Sequence, residues 1–315
     1  MQTYSYYPGC SLHGTAKEYD RSLNLVAGKL GFELREIADW NCCGATAAHS
    51  TNELLGLALP ARNLMLAATD GRPVLAPCAM CYNRMKVAQH ELQDSSKRQV
   101  VERLLGRSEK LISEKKVSWS EQVSVVSLLQ ALAGDGIQAA IKEAVVKPLK
   151  GLKVVCYYGC LLVRPPEIIQ PDNLENPQTM DRLVALLGAE VLDWPFKTEC
   201  CGGSLALART DIVLALGRRL LGMARDVGAD CIVTACPMCH SNLDTRQGQI
   251  KAKFGESFDM PIFYVTELMG LAFGFTPKEL LLDKHLTDAI KIVKRDDCPE
   301  RRVTCHASRK QGLKI

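Results

Sequence analysis

The chain has 315 residues, 47% hydrophobic and 23% charged, enough for two ordinary cores and unlike a disordered or fibrous protein. Its net charge of +4 comes from 39 basic and 35 acidic residues spread over the whole length, with no basic block interleaved with aromatics, so no nucleic-acid partner is expected. The opening MQTYSYYPGC has neither a charged start nor an apolar core, and no run approaches the roughly 18 apolar residues of a membrane span, so a cytoplasmic chain is expected. In that setting fourteen cysteines point to metal ligation or redox chemistry rather than to disulfides.

In chain order, QTYSYYPGC reads as a strand ending in Gly9 and Cys10 at a turn. GTAKEYDRSLNLVAGKLG follows as an amphipathic helix stopped by glycine, and FELREI as a strand leading to Cys42-Cys43. TNELLGLALPARNLMLAATDG reads as a helix, and VLAPC as a β-branched run that stops at the first cysteine of Cys78-x-x-Cys81. MCYNRMKVAQHEL then continues with helical character. From KRQVVERLL to KPLKG the periodicity is helical and free of cysteine, which predicts a helical connector with a boundary near Gly151.

The second half repeats the first. LKVVCYYGC, TMDRLVALLG, AEVLDW, Cys200-Cys201, RTDIVLALGRRLLGMARDVG, CIVTAC and the helix after Cys236-x-x-Cys239 follow in the same order. Strand and helix alternate three times per half, which implies an α/β fold with two tandem, pseudo-symmetric modules, each a mostly parallel sheet flanked by helices. The expected division is residues 1–150 for the first module plus connector and 151–315 for the second plus a tail that reads as helix followed by a basic, loop-like end.

The cysteine spacing is the strongest signal. Cys10 is followed by 31 residues, Cys42-Cys43, 34 residues and Cys78-x-x-Cys81; Cys160 is followed by 39 residues, Cys200-Cys201, again 34 residues and Cys236-x-x-Cys239. The flanking words repeat too: WNCCGA matches ECCGG, and LAPCAMCYN matches TACPMCHSN. Five cysteines per module account for ten, all expected at the carboxyl ends of strands, where parallel sheets place ligands. Each CxxC at a strand-to-helix turn meets the positive end of a helix dipole, which favours thiolate, and Pro237 suits a first helical turn. Cys156 and Cys231 sit in apolar strand-like runs and read as small core hydrophobes.

Four thiolates per module could close a tetrahedral zinc site, and a zinc-stabilised scaffold is the reading from another functional class. A fifth donor and a vicinal pair fit zinc poorly, because adjacent side chains diverge, whereas a larger iron–sulfur core can be reached by both. The residues alone favour a polynuclear iron–sulfur site of unspecified shape. The ferredoxin run CxxCxxCxxxCP is absent.

At these residues the sequence resembles the duplicated cysteine-rich CCG family, most closely the branch formed by the catalytic B subunit of heterodisulfide reductase, over roughly residues 2–275. CCGGS, CPMCHSNLD and PIFYVTELMGLAFG carry the likeness beyond the ligands. The resemblance implies two noncubane [4Fe-4S] clusters, one on Cys10, Cys42, Cys43, Cys78 and Cys81 and the other on Cys160, Cys200, Cys201, Cys236 and Cys239. It further implies an oxidoreductase acting on sulfur groups, with two-electron disulfide reduction, or the reverse thiol oxidation, between the clusters. A ferredoxin-like C subunit and a flavin-containing A subunit would be its partners. The alternative is an electron-transfer subunit of a lactate, glycolate or glycerol-phosphate oxidising complex. No dinucleotide fingerprint is present, so electrons are expected to pass through partners.

His13, His49 and His240 lie near motif cysteines, where they could donate to cluster sulfur or substrate thiolate, though a local backbone acceptor is the commoner role. Arg164 and Lys197 could attract an anionic substrate, against the commoner reading of solvated loop charges. Cys298, Cys305 and His306 fall one ligand short of a zinc site, so a tail or partner contact is expected there.

Overall fold

The computed structural model describes residues 2–108 and 123–292. It contains two four-stranded, all-parallel sheets. The first comprises β1 (Gln2–Tyr6), β2 (Phe32–Glu36), β3 (Val74–Ala76) and β4 (Val125–Ser127) in the order β2-β1-β3-β4. The second comprises β5 (Lys153–Tyr157), β6 (Glu190–Val191), β7 (Cys231–Thr234) and β8 (Ile262–Tyr264) in the equivalent order β6-β5-β7-β8. Strands β3, β7 and β8 are buried at every residue, as parallel strands covered on both faces must be.

The helices form where the sequence is amphipathic. Lys17–Leu30 buries Tyr19, Leu23, Val26, Ala27 and Leu30 on one face, and Thr210–Asp226 buries Val213, Leu214, Gly217, Leu220, Leu221 and Ala224. Helices Ala79–Glu91 and Pro237–Thr245 begin directly after Cys78 and Cys236, with Pro237 at the first helical position.

Three expectations change. The connector read as purely helical also supplies β4, because the short run Val125–Ser127 pairs with β3 and its Ser127 opens the next helix in a capping box with Gln130. The segment AEVLDW pairs over only two residues, because beyond the Leu192 N–H the next ladder acceptor, Cys156 O, is taken by the indole N–H of Trp194 at 2.9 Å. The tail expected to be helical first forms turns over residues 276–289, including the 3-10 turn Leu282–Lys284, and is helical only at residues 290–292. There the Asp244 carboxylate accepts the N–H groups of Leu286 (2.8 Å) and Thr287 (2.9 Å), a side-chain capture that competes with helix.

One continuous apolar core runs through both sheets. Helix Val265–Ala272, which follows the second sheet, packs on helix Lys17–Leu30 of the first module. Ser22 and Thr266 share a hydroxyl hydrogen bond of 2.7 Å across that contact, and Tyr19 stacks on Tyr264 with ring centroids 4.1 Å apart. A second seam is polar: Asn83 Nδ2 donates to Leu161 O (3.1 Å) and Arg164 O (2.8 Å).

Candidate metal centres

In each sheet the chain reverses direction of progress at the first strand, with the second strand on one side and the third on the other. Loops leaving the carboxyl ends of β1 and β3 therefore diverge and open a crevice, the place where such sheets bind ligands. Cys10 follows β1, Cys42-Cys43 follow β2 and Cys78 and Cys81 follow β3. Cys160, Cys200-Cys201, Cys236 and Cys239 hold the same posts around β5, β6 and β7. Cys10 lies in a short helix, Gly9–His13, rather than in an open loop.

Within the first crevice the thiols touch in sequence. The sulfurs of Cys10 and Cys42 are 3.8 Å apart and those of Cys43 and Cys81 are 3.5 Å apart, and Cys78 occupies the N-cap position of the helix that carries Cys81. In the second, Cys201 and Cys239 are 3.4 Å apart, and Cys160, Cys200 and Cys236 line the same cavity as they do. The two sets adjoin, because Ala79 and Met80 of the first CxxC turn line the same cavity as all five cysteines of the second module. All ten cysteines are free thiols.

Protonation follows from this crowding. Hydrogen bonding from Cys10, then from Cys43, holds the Cys42 thiol well below the ordinary range, and its partner Cys10 is pushed up in return. Cys200 is likewise lowered by Cys160, which is itself raised, and the Gly202 N–H donates to the Cys200 sulfur at 3.2 Å. Five ionised thiolates in one crevice would repel strongly, so full deprotonation requires a cationic core among them.

Two features hold the sulfurs in place. Tyr7 Oη donates to Asn41 O and Tyr157 Oη to Glu199 O, both at 2.7 Å, fixing the carbonyl just before each vicinal pair. Trp40 and Trp194 pack edge-on against these tyrosines. Gly9 and Gly159 both have φ +67°, and a Cβ would stand 2.9 Å from Cys81 Sγ at the former and 3.1 Å from Cys239 Sγ at the latter. The turn after the first strand of each module thus needs glycine both for its backbone conformation and to let the CxxC sulfur approach.

At the junction, the Tyr19 hydroxyl lies 3.2 Å from Pro77 O and 3.3 Å from Ala235 O, the carbonyls that precede the two CxxC motifs. A cavity beside the second cysteine set is lined by Ala79 and Met80 from the first module and by Tyr158, Leu161 and Met238 from the second, together with cluster cysteines. Tyr158 also lines a larger cavity of about 280 Å³ formed by both modules.

Five soft sulfur donors per crevice, spaced 3.4–3.8 Å where neighbours meet, suit a polynuclear iron–sulfur group better than a single tetrahedral ion. The cysteine-rich domain family known as CCG matches residues 4–86 and 154–244, one copy on each crevice. The chain belongs to the CCG cysteine-rich domain family.

Among its relatives, the 8-methylmenaquinol:fumarate reductase membrane anchor subunit of Wolinella succinogenes is 32% identical over 292 residues, covering 93% of this chain and 99% of that protein. The B subunit of the ferredoxin/F420H2-dependent CoB-CoM heterodisulfide reductase of Methanosarcina acetivorans is 28% identical over 93% of this chain and 96% of that protein. A protein of Archaeoglobus profundus that is itself like the B subunit of heterodisulfide reductase is 26% identical over 89% of this chain and 93% of that one. A crystal structure of a hypothetical protein from Helicobacter pylori superposes with a TM-score of 0.70 at 13% identity, over 91% of this chain and 52% of that one, and speaks to the fold alone. The CCG repeat and these relatives support an iron–sulfur subunit of a larger oxidoreductase assembly. Among the described residues, no helix is long and apolar enough to cross a membrane.

Residues singled out beside the ligands of this CCG protein have other partners. His240 Nε2 contacts Ile262 O at 3.1 Å, the backbone role, and its ring stacks on Tyr264. His13 pairs with Glu36 at 3.5 Å, and His49 is exposed. Lys197 is neither solvated nor free for an anion: it is 3% exposed and pairs with Asp181 at 2.7 Å. Arg164 donates to Thr198 O at 3.3 Å and pairs with Glu175. Cys156 and Cys231 are fully buried strand residues. Cys298, Cys305 and His306 lie outside the described residues. Sequence reasoning misses Tyr19, whose hydroxyl meets two carbonyls from opposite modules. It also assigns no role to Tyr7 and Tyr157, although their matched positions ahead of the first cysteine carry the signal.

Proposed function

We propose that this chain is the catalytic iron–sulfur subunit of a heterodisulfide reductase-like complex, acting on a disulfide or the corresponding thiols between two noncubane [4Fe-4S] clusters. Its modules, residues 1–150 and 151–315, would hold one cluster each: Cys10, Cys42, Cys43, Cys78 and Cys81 the first, and Cys160, Cys200, Cys201, Cys236 and Cys239 the second. When bound, the clusters would supply one electron each to the two sulfurs of the substrate bond. The observation that carries this reading is the meeting of the two CxxC turns, whose preceding carbonyls, Pro77 O and Ala235 O, share the Tyr19 hydroxyl.

The chain's own residues have matching tasks. Tyr7 and Tyr157 orient the vicinal cysteines through backbone carbonyls, and Asn242 Nδ2 donates to Cys201 O at 3.2 Å. Met80, Leu161 and Met238 give the cavity beside the second set an apolar lining that would keep water from the sulfurs. Electrons would arrive through a ferredoxin-like C subunit and a flavin-containing A subunit, in the cytoplasm.

The Wolinella relative favours a second reading, in which the chain only transfers electrons within a complex that acts on another substrate. Anaerobic purification with iron and acid-labile sulfide analysis tests the shared premise: about eight irons per chain with matching sulfide are expected, and one or two zincs without sulfide would overturn both readings. Addition of a disulfide to the chemically reduced protein then separates them. Stoichiometric reoxidation with thiol release supports the sulfur chemistry, and inert clusters leave electron transfer.

A further inference from the structure

A second donor cluster lies outside the cysteine crevices, and the redox reading leaves it unused. His240 from helix Pro237–Thr245, Glu267 from the first turn of Val265–Ala272 and His285 from the loop after Leu282–Lys284 bring one donor atom each to within 4.8 Å of one another. All three residues are buried, and the side chains of Glu267 and His285 are 0% exposed. Glu267 Oε1 and His285 Nε2 are 2.9 Å apart, and the two imidazoles meet edge to face with centroids 4.7 Å apart.

Each donor is held from behind by the backbone. His240 Nε2 contacts Ile262 O, Glu267 Oε2 accepts the Tyr264 N–H at 2.8 Å, and Asp244 pins the loop of His285 through Leu286 and Thr287. Outer hydrogen bonds of this kind fix ligand orientation at metal sites. Hydrogen bonding within the cluster is also incomplete, since His285 Nδ1 is buried without a partner.

We propose that His240, Glu267 and His285 form a divalent metal site, with zinc as the ion that two imidazoles and one carboxylate fit. All three ligands belong to the second module, beside the contact of helix Val265–Ala272 with helix Lys17–Leu30, so the ion would fasten the loop of His285 to the two helices behind that contact. Tetrahedral zinc with bonds of about 2.0–2.1 Å separates its ligand atoms by about 3.3 Å. The Glu267–His285 pair would open slightly and His240 close in. The proposal does not depend on the function of the cysteine sites.

The test is zinc analysis and zinc K-edge absorption spectroscopy on the full chain, purified anaerobically and dialysed against equimolar zinc chloride and then buffer. One retained zinc per chain is expected, with a coordination shell of nitrogen and oxygen only. Glu267→Gln and His285→Asn should each lose it while iron and sulfide per chain stay unchanged. No retained zinc, retention in both variants, or a sulfur shell would overturn the proposal. The sulfur shell would move the ion to the cysteines and count against the iron–sulfur reading as well. Should a variant fail to fold, the wild-type coordination shell decides alone.

Discussion

Cys42 is an exposed thiol whose neighbours already favour its ionised form, so it is the ligand whose loss can be read with least structural damage. Cys42→Ser should lower iron and sulfide per chain by about half and leave the signal of the second module intact; an unchanged iron ratio would refute a five-cysteine site. Gly9→Ala tests the close approach directly. With φ +67° and a Cβ 2.9 Å from Cys81 Sγ, the substitution combines strain with a clash. The left-handed backbone alone costs roughly 1–2 kcal/mol, and iron should leave the first module selectively. Gly159→Ala, with 3.1 Å to Cys239 Sγ, should give a smaller loss from the second module, and equal iron retention in both variants would mean the glycines serve the turn alone.

At the level of elements, helix Thr179–Leu186 is fastened to the second crevice by a buried polar knot. Asp181 accepts from Lys197 Nζ at 2.7 Å and from Tyr158 Oη at 2.6 Å, and Tyr158 Oη in turn accepts the Met180 N–H at 2.7 Å. The backbone carbonyl of Lys197 accepts the N–H groups of Tyr158 and Gly159, tying the loop before Cys200 to the turn before Cys160. Lys197→Met leaves the Asp181 charge buried and should destabilise the protein by about 3–5 kcal/mol. Denaturant unfolding checks it. A change below about 1 kcal/mol, the level of surface pairs, would show that the pair is not desolvated.

For the whole molecule, the contact between modules positions the chemistry. Tyr19 is fully buried between Pro77 O and Ala235 O and stacks on Tyr264, which stacks on His240. Tyr19→Phe keeps the stacking and removes the hydroxyl, so unfolding free energy should fall by about 1 kcal/mol with iron content unchanged. Loss of iron from both modules would instead assign the hydroxyl to holding the CxxC turns.

The duplicated module, the parallel α/β architecture and the gathering of five cysteines at strand ends were legible in the sequence because each depends on local periodicity or on spacing that repeats after one module's length. The fourth strand of each sheet was harder to see. Val125–Ser127 and Ile262–Tyr264 are three-residue strands whose pairing partners are distant, and a run that short has no period of its own. Lys197, Tyr19 and the His240–Glu267–His285 cluster belong to the same class. Lys197 looks like any loop cation until Asp181 is packed over it, and Tyr19 looks like a core aromatic until two modules bring carbonyls to its hydroxyl. Residue type and spacing sufficed to propose which thiols act together. Only the packing of the second module on the first decided that the two sets meet, since side chains more than two hundred positions apart, such as Tyr19 and Ala235, are made neighbours by burial of apolar faces that no local pattern records.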